Sequence, residues 1–186
     1  LRDEPWHIVY LRDGIGCFHM AGIDGLAPDY AGCVQALMAL LERLGAKQVY
    51  CLGGSAGGYA ALRYGLDLNA KAVASFSGPT SLVPAHWDDA HRPFLEPLAE
   101  RAPDMLQDLE PFYRQAAEPP PLMLGHGAEH AGDCRAAEHM ARAPGAVLMP
   151  LPGYDGHDTI LYLVATRAMG RIRAWLTGDA PAVGTP

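Results

Sequence analysis

The chain has 186 residues, a formal net charge of −7, and 49% hydrophobic against 19% charged side chains, proportions that fit one folded domain with an apolar core and exclude a disordered chain. Its basic residues form no cluster, which argues against the grouped phosphate contacts of a nucleic-acid binder. No apolar run reaches the ~18–20 residues of a membrane-spanning helix.

After Pro5, the β-branched and aromatic run His7-Ile8-Val9-Tyr10-Leu11 ends at Arg12-Asp13-Gly14 and predicts a first strand. From Asp29 to Leu44 the apolar residues Tyr30, Val34, Leu37, Leu41 and Leu44 recur every three or four positions. With Pro28-Asp29 as a start signal and Gly45 as a stop, they predict an amphipathic helix. Gln48 to Leu52 is a second strand, and it runs into Gly53-Gly54-Ser55-Ala56-Gly57-Gly58 and an alanine-rich helix. Lys71–Phe76, Leu122–Leu124 and Ala146–Leu151 are short continuous apolar runs of the kind that form strands covered on both faces. Helical patterns separate or follow them, over roughly 134–142 and over Asp158–Leu176, the latter with the stripe Leu161, Val164, Ala168, Ile172 and Trp175. The alternation predicts an α/β fold, a mostly parallel sheet with helices on both faces.

Residues 79–119 interrupt this rhythm with seven prolines and with Trp87, Phe94, Phe112 and Tyr113, and they read as a small helical cap inserted in a single domain over 1–176. The Ala-, Gly- and Pro-rich residues 177–186 read as a flexible tail. The four cysteines, Cys17, Cys33, Cys51 and Cys134, form no CxxC pair, so free thiols and a cytoplasmic setting are expected.

Gly53-Gly54-Ser55-Ala56-Gly57 matches G-x-S-x-G between an apolar strand and a helix, the context in which the motif marks a nucleophile elbow. The tight turn demands glycine or small neighbours, and it leaves the N–H of Ala56 unpaired at a helix start, where it would serve as an oxyanion donor. A phosphate-binding glycine turn is disfavoured, because the Lys-Ser/Thr ending of a P-loop is missing.

A serine hydroxyl needs a base, and the base needs an orienting group, in the chain order Ser, acid, His. His157, in Gly153-Tyr154-Asp155-Gly156-His157 after the last strand, is the candidate base. The loop after Leu122–Leu124 offers two acids, Glu129 and Asp133, and Asp133 could equally cap the helix at 134. His126, His130, Cys134 and His139 fit no CxxC or HExxH template, so no metal and no organic cofactor are expected.

Taken together, Gly-Gly-Ser55-Ala-Gly-Gly-Tyr-Ala-Ala-Leu, Ala74-Ser75-Phe76-Ser77, Asp133 followed by Ala137-Glu138, and Gly153-Tyr154-Asp155-Gly156-His157 resemble the α/β-hydrolase superfamily over nearly the whole chain. Arg12-Asp13, Gly22, Gly25 and Phe76-Ser77 resemble, more narrowly, bacterial hydrolase-like proteins of capsule and surface-glycan export. That resemblance favours Asp133 over Glu129, because the acid there heads an Asp-x-x-x-Ala-Glu helix. The superfamily resemblance also implies a second oxyanion N–H from the loop after a strand upstream of Arg12-Asp13. Six residues precede His7, so this donor is expected either beyond the chain or in the loop Arg12 to Gly16.

The expectation is a serine hydrolase acting on a small-molecule or glycan ester, with Ser55, His157 and Asp133 as triad and Ala56 in the oxyanion hole. Gly54, Trp87 and Phe112 are the expected substrate contacts. A thioesterase or acyltransferase would use the same residues. A non-catalytic module binding a glycan or a secretion partner is the rival of another class.

Overall fold

Four strands lie side by side in chain order, all parallel, in the computed structural model, which describes residues 6–179. They are β1 (Tyr50–Gly54), β2 (Ala72–Phe76), β3 (Leu122–Gly127) and β4 (Ala146–Leu151). The register runs from Tyr50 opposite Ala72 to Gly54 opposite Phe76 at one side, and from Leu122 opposite Ala146 to Gly127 opposite Leu151 at the other. Pro150, which lacks an N–H for a ladder, falls on the edge strand β4, where such a residue is tolerated.

This strand order decides where the helices go. Crossovers of one hand that always step in the same direction deposit their connections on the same face. The connections α2 (Ala56–Asp67) and α5 (Ala131–Met140) accordingly share one apolar cluster with α1 (Tyr30–Arg43): Cys33 and Leu37, Tyr59 and Leu62, and Ala137 and Met140 meet Val73, Leu122 and Leu124 of the sheet. The opposite face, Ala72, Ala74, Phe76, Met123 and Met149, is covered by α6 (Thr159–Ala165) and α7 (Met169–Thr177) through Leu163, Ile172, Trp175 and Leu176. Strand residues alternate between the two clusters, which is why β2 and β3 read as unbroken apolar runs and are buried throughout.

Local signals place several elements. Asp29 caps α1, its carboxylate accepting the Gly32 N–H at 2.7 Å, and Gly45 follows the helix with φ 62°. At the elbow a Cβ on Gly53 would lie 1.9 Å from the Gly57 carbonyl oxygen, a contact of backbone with backbone that cannot relax by a rotamer change. A Gly53→Ala variant is expected to lose about 3 kcal/mol or more of stability, read from its urea midpoint. Unfolding at the wild-type midpoint would show that the turn admits a side chain there.

Three expectations are corrected. The run 7–11 forms no ladder: Ile8, Val9 and Tyr10 are 39%, 45% and 84% exposed, because no neighbouring strand pairs with it, although Trp6 stacks on Tyr50 at 6.0 Å. The helix predicted over Asp158–Leu176 is two helices, broken where Arg167 takes φ 59° and the Thr166 hydroxyl donates back to Tyr162 O at 2.8 Å. The break has a geometric cause. Leu163 and Ile172 both face the sheet, but nine residues along one straight helix would set them about half a turn out of phase. Leu161 and Val164 of the predicted stripe are consequently exposed, at 66% and 56%. The helix expected from residue 134 begins at Ala131, which moves Asp133 into its first turn.

The segment 79–119 contains α3 (Glu96–Arg101), α4 (Glu110–Gln115) and three short 3₁₀ turns. Leu82, Leu95, Leu98, Leu109 and Tyr113 are fully or almost fully buried in the cluster around α2. The Tyr113 hydroxyl donates to Leu62 O at 2.7 Å, and the Tyr59 hydroxyl donates to Gln107 O at 3.2 Å. The segment is therefore fastened to α2 rather than free to swing. No helix among the described residues is long and apolar enough to cross a membrane. Of the tail expected at 177–186, residues from 180 on lie outside the described residues.

Candidate active site

β1 runs into a turn at Ser55, whose backbone adopts φ 53°, ψ −126°, a conformation that costs a side-chain-bearing residue about 1–3 kcal/mol. Its N–H donates to Phe76 O at 2.9 Å, and its carbonyl accepts the Gly58 N–H at 2.8 Å, so β2 and α2 hold the strained turn from both sides. Ser55 Oγ caps nothing and is exposed at the carboxyl end of the sheet. Ala56 opens α2, and its N–H, which a helix start cannot pair, has no backbone partner among the described residues.

His157 arrives from the loop after β4, which lies against the end of β3. The Glu129 N–H donates to Tyr154 O at 3.2 Å and the Ala128 N–H to Leu151 O at 3.1 Å. A Cβ on Gly127 would be 2.6 Å from Tyr154 O, so glycine is what lets the two backbones approach. His157 Nε2 stands 2.9 Å from Ser55 Oγ, and its Nδ1 lies 3.0 and 3.1 Å from the two Asp133 oxygens. A carboxylate can only accept, so Nδ1 carries the ring proton and Nε2 is left to accept from the Ser55 hydroxyl. The hydrogen bond to Asp133 pushes the His157 pKa above 6.5, against the opposing effect of partial burial, and the charges of Asp133 and Asp158 add to the rise.

Of the two candidate acids, Asp133 faces His157. Its side chain is 8% exposed, and beside it a cavity of about 10 Å³, lined also by Ser75, Ser77, Thr80 and His126, has room for a single water. Glu129 is exposed, and its carboxylate makes no hydrogen bond among the described residues. Asp133 is not the helix cap considered from the sequence. His130 is: its Nδ1 accepts the Asp133 N–H at 3.1 Å, and its ring centroid lies 5.6 Å from that of His157. The sequence shows His130 only as one of several histidines without a metal template, and histidine is a rare cap. His130, Asp133 and His157 each offer a ligand atom within 4.8 Å of the others, the one such group among the described residues.

Each of the expected substrate contacts has defined neighbours in the fold. Gly54 adjoins Ser55 but serves packing, since a Cβ there would lie 2.7 Å from Ile160 Cδ1. Trp87 packs edge-on against Phe18, and its indole N–H donates to Ser81 O at 2.8 Å. The Phe112 ring carries the Arg63 guanidinium at 5.1 Å, two turns along α2 from Ser55. In the loop Arg12 to Gly16, the N–H groups of Ile15 and Gly16 both donate to Asp13 Oδ1, at 3.1 and 3.0 Å, so they are not free oxyanion donors.

No protein-family model and no curated protein matches the sequence. Solved structures do match in fold. A candidate non-heme bromoperoxidase, BpoC of Mycobacterium tuberculosis, superposes with a TM-score of 0.54 at 14% identity, over 78% of this chain and 74% of that one. The monoacylglycerol lipase of Paleococcus ferrophilus gives a TM-score of 0.54 at 15% identity, over 81% and 76%. The parallel sheet, the elbow turn between β1 and α2, and these likenesses together show that the chain has the α/β-hydrolase fold.

Proposed function

We propose that the chain is a serine hydrolase that cleaves a carboxylic ester through an acyl-enzyme. The observation that carries this reading is the His157 ring, bonded at one nitrogen to Ser55 Oγ and at the other to Asp133, three residues that come from the turn after β1, the first turn of α5 and the loop after β4. Ser55 Oγ attacks the ester carbonyl as His157 Nε2 takes its proton. The protonated ring, stabilised by Asp133, returns the proton to the leaving alkoxide. Water then repeats the sequence on the acyl-Ser55 ester and frees the enzyme. Ala56 N–H, at the positive end of α2, would stabilise the tetrahedral oxyanion. The exposure of Ser55, and of 43% of the His157 side chain, favours an ester on a bulky small molecule or a glycan over a short substrate sealed from water. The four free cysteines fit a cytoplasmic setting.

One observation favours the rival reading, a hydrolase-like binding module: the two loop N–H groups bonded to Asp13 leave Ala56 as the one identified oxyanion donor. A fluorophosphonate probe separates the two, since it reacts only with a serine activated by its base. The expected result is a single adduct by intact mass, mapped to the peptide containing Ser55, alongside turnover of p-nitrophenyl esters. A folded chain that takes up no probe and turns over no ester would favour the binding module.

A further inference from the structure

The triad acid and base share their corner with a second imidazole. His130 Nδ1 lies 3.1 Å from Asp133 Oδ1, and His157 Nδ1 lies 3.0 Å from the same oxygen. The His130 Nδ1 lone pair already accepts the Asp133 N–H, so its approach to the carboxylate oxygen brings two acceptors together, an arrangement that a cation between them relieves. Two imidazoles and a carboxylate are a ligand set for zinc, and tetrahedral Zn–N and Zn–O bonds of ~2.0–2.1 Å leave neighbouring donors roughly 3.3 Å apart. The two separations from Asp133 Oδ1, 3.1 and 3.0 Å, need only small shifts to reach that value, and the two imidazoles offer nitrogens within 4.8 Å of each other, a gap the exposed rings close by turning. Access is open, since the side chains of His130 and His157 are 36% and 43% exposed.

The geometry points to an inhibitory site for a divalent cation, Zn²⁺ above all, held by His130 Nδ1, Asp133 and His157 Nδ1, which switches off the base by fixing its tautomer. Metal on Nδ1 takes the place of the ring proton there, and the proton moves to Nε2, so no net proton is released. Nε2–H then donates to Ser55 Oγ and can no longer accept its proton. The same cation occupies the carboxylate that orients the ring. His130 exchanges its cap bond to the Asp133 N–H for the metal. His157 lies 24 residues beyond Asp133, which is why the spacing of the set matches no zinc template.

The consequence for catalysis rests on the serine-hydrolase reading, but the binding does not, and the two are measured separately. Metal-stripped protein is titrated with Co²⁺, whose visible bands report tetrahedral nitrogen and oxygen ligands, followed by competition with Zn²⁺; fluorophosphonate labelling rates are then taken with Zn²⁺ and after addition of EDTA. The wild-type chain is expected to show the Co²⁺ bands, to label at least about 10-fold more slowly with saturating Zn²⁺, and to recover with EDTA. His130→Asn keeps a good helix cap and removes a ligand, and is expected to weaken binding about 10-fold or more, with each variant's labelling referred to its own metal-free rate. Cys134→Ser, which removes the nearest thiol along α5, is expected to leave binding unchanged. Absence of tetrahedral Co²⁺ bands, undiminished affinity in His130→Asn, or loss of binding in Cys134→Ser would each overturn the site. A wild-type chain that binds the metal but takes up no probe would overturn the hydrolase reading and leave the site standing.

Discussion

Replacing Ser55 by alanine is expected to lower kcat for ester hydrolysis on the order of 10⁴–10⁶-fold and to abolish fluorophosphonate labelling, while the urea midpoint stays close to that of the wild type. The two halves of this expectation have separate causes. The hydroxyl is the atom that forms the covalent bond, so its loss removes acyl transfer entirely. Its contribution to folding is small, because the side chain is exposed, caps no helix and bonds only to His157. The backbone strain at φ 53°, ψ −126° persists in alanine, so stability neither gains nor loses from it. A Ser55→Ala protein that folds and still turns over ester at the wild-type rate would place the chemistry elsewhere.

Asp133→Asn should come next in severity, with a fall in kcat of roughly 10⁴-fold. The asparagine amide can donate to Nδ1, which drives the ring proton to Nε2, the nitrogen that must be bare to accept from Ser55. The pH profile carries an independent signature. His157 must be neutral to act as a base, and its pKa is raised above 6.5 first of all by the hydrogen bond to Asp133. Wild-type activity should therefore fall as the pH drops through a value above 6.5. With the carboxylate gone the charged ring loses its main support, and this acid limb should move to lower pH. Glu129→Gln should leave rate and profile within about twofold, since Glu129 is exposed and its carboxylate bonds to nothing around His157. An acid limb that stays in place in Asp133→Asn, or one that moves in Glu129→Gln, would contradict the assignment of the acid.

The elements legible from the residues alone are those whose causes are local. Asp29 and Gly45 bracket α1 because a side-chain cap and a left-handed residue act within one turn of the chain. Gly53, two residues before Ser55, marks the elbow because the collision it avoids, with the Gly57 carbonyl, is between atoms four residues apart. Continuous apolar runs predict β2 and β3, since a strand covered on both faces has no polar side to show, and the same kind of run marks β4 although this edge strand is mostly half-buried.

Other features were beyond the reach of local pattern. Residues 7–11 have the composition of a strand but no ladder, because pairing needs a neighbour and composition cannot supply one. The stripe Leu161, Val164, Ala168, Ile172 and Trp175 satisfies helical periodicity, yet the sheet face to be covered required Leu163 and Ile172 together, and that demand broke the helix at Arg167. Composition marks out 79–119 as an insertion, but its attachment to α2 through Leu98, Leu109 and Tyr113 depends on which face the crossovers leave for it.

The sequence by itself thus determined the alternation of strands and helices, the strained serine turn and the histidine loop, each a matter of sterics or periodicity over a few residues. The tertiary structure alone decided which carboxylate meets His157, that His130 shares their corner, and that Trp87 packs on Phe18 and Phe112 under Arg63. The physical reason is that hydrogen bonds of about 3 Å have steep distance and angular limits. Side chains separated by 24 or 102 residues come within those limits only after the sheet order and the helix start at Ala131 have brought the carboxyl ends of β1, β3 and β4 to the same edge of the sheet.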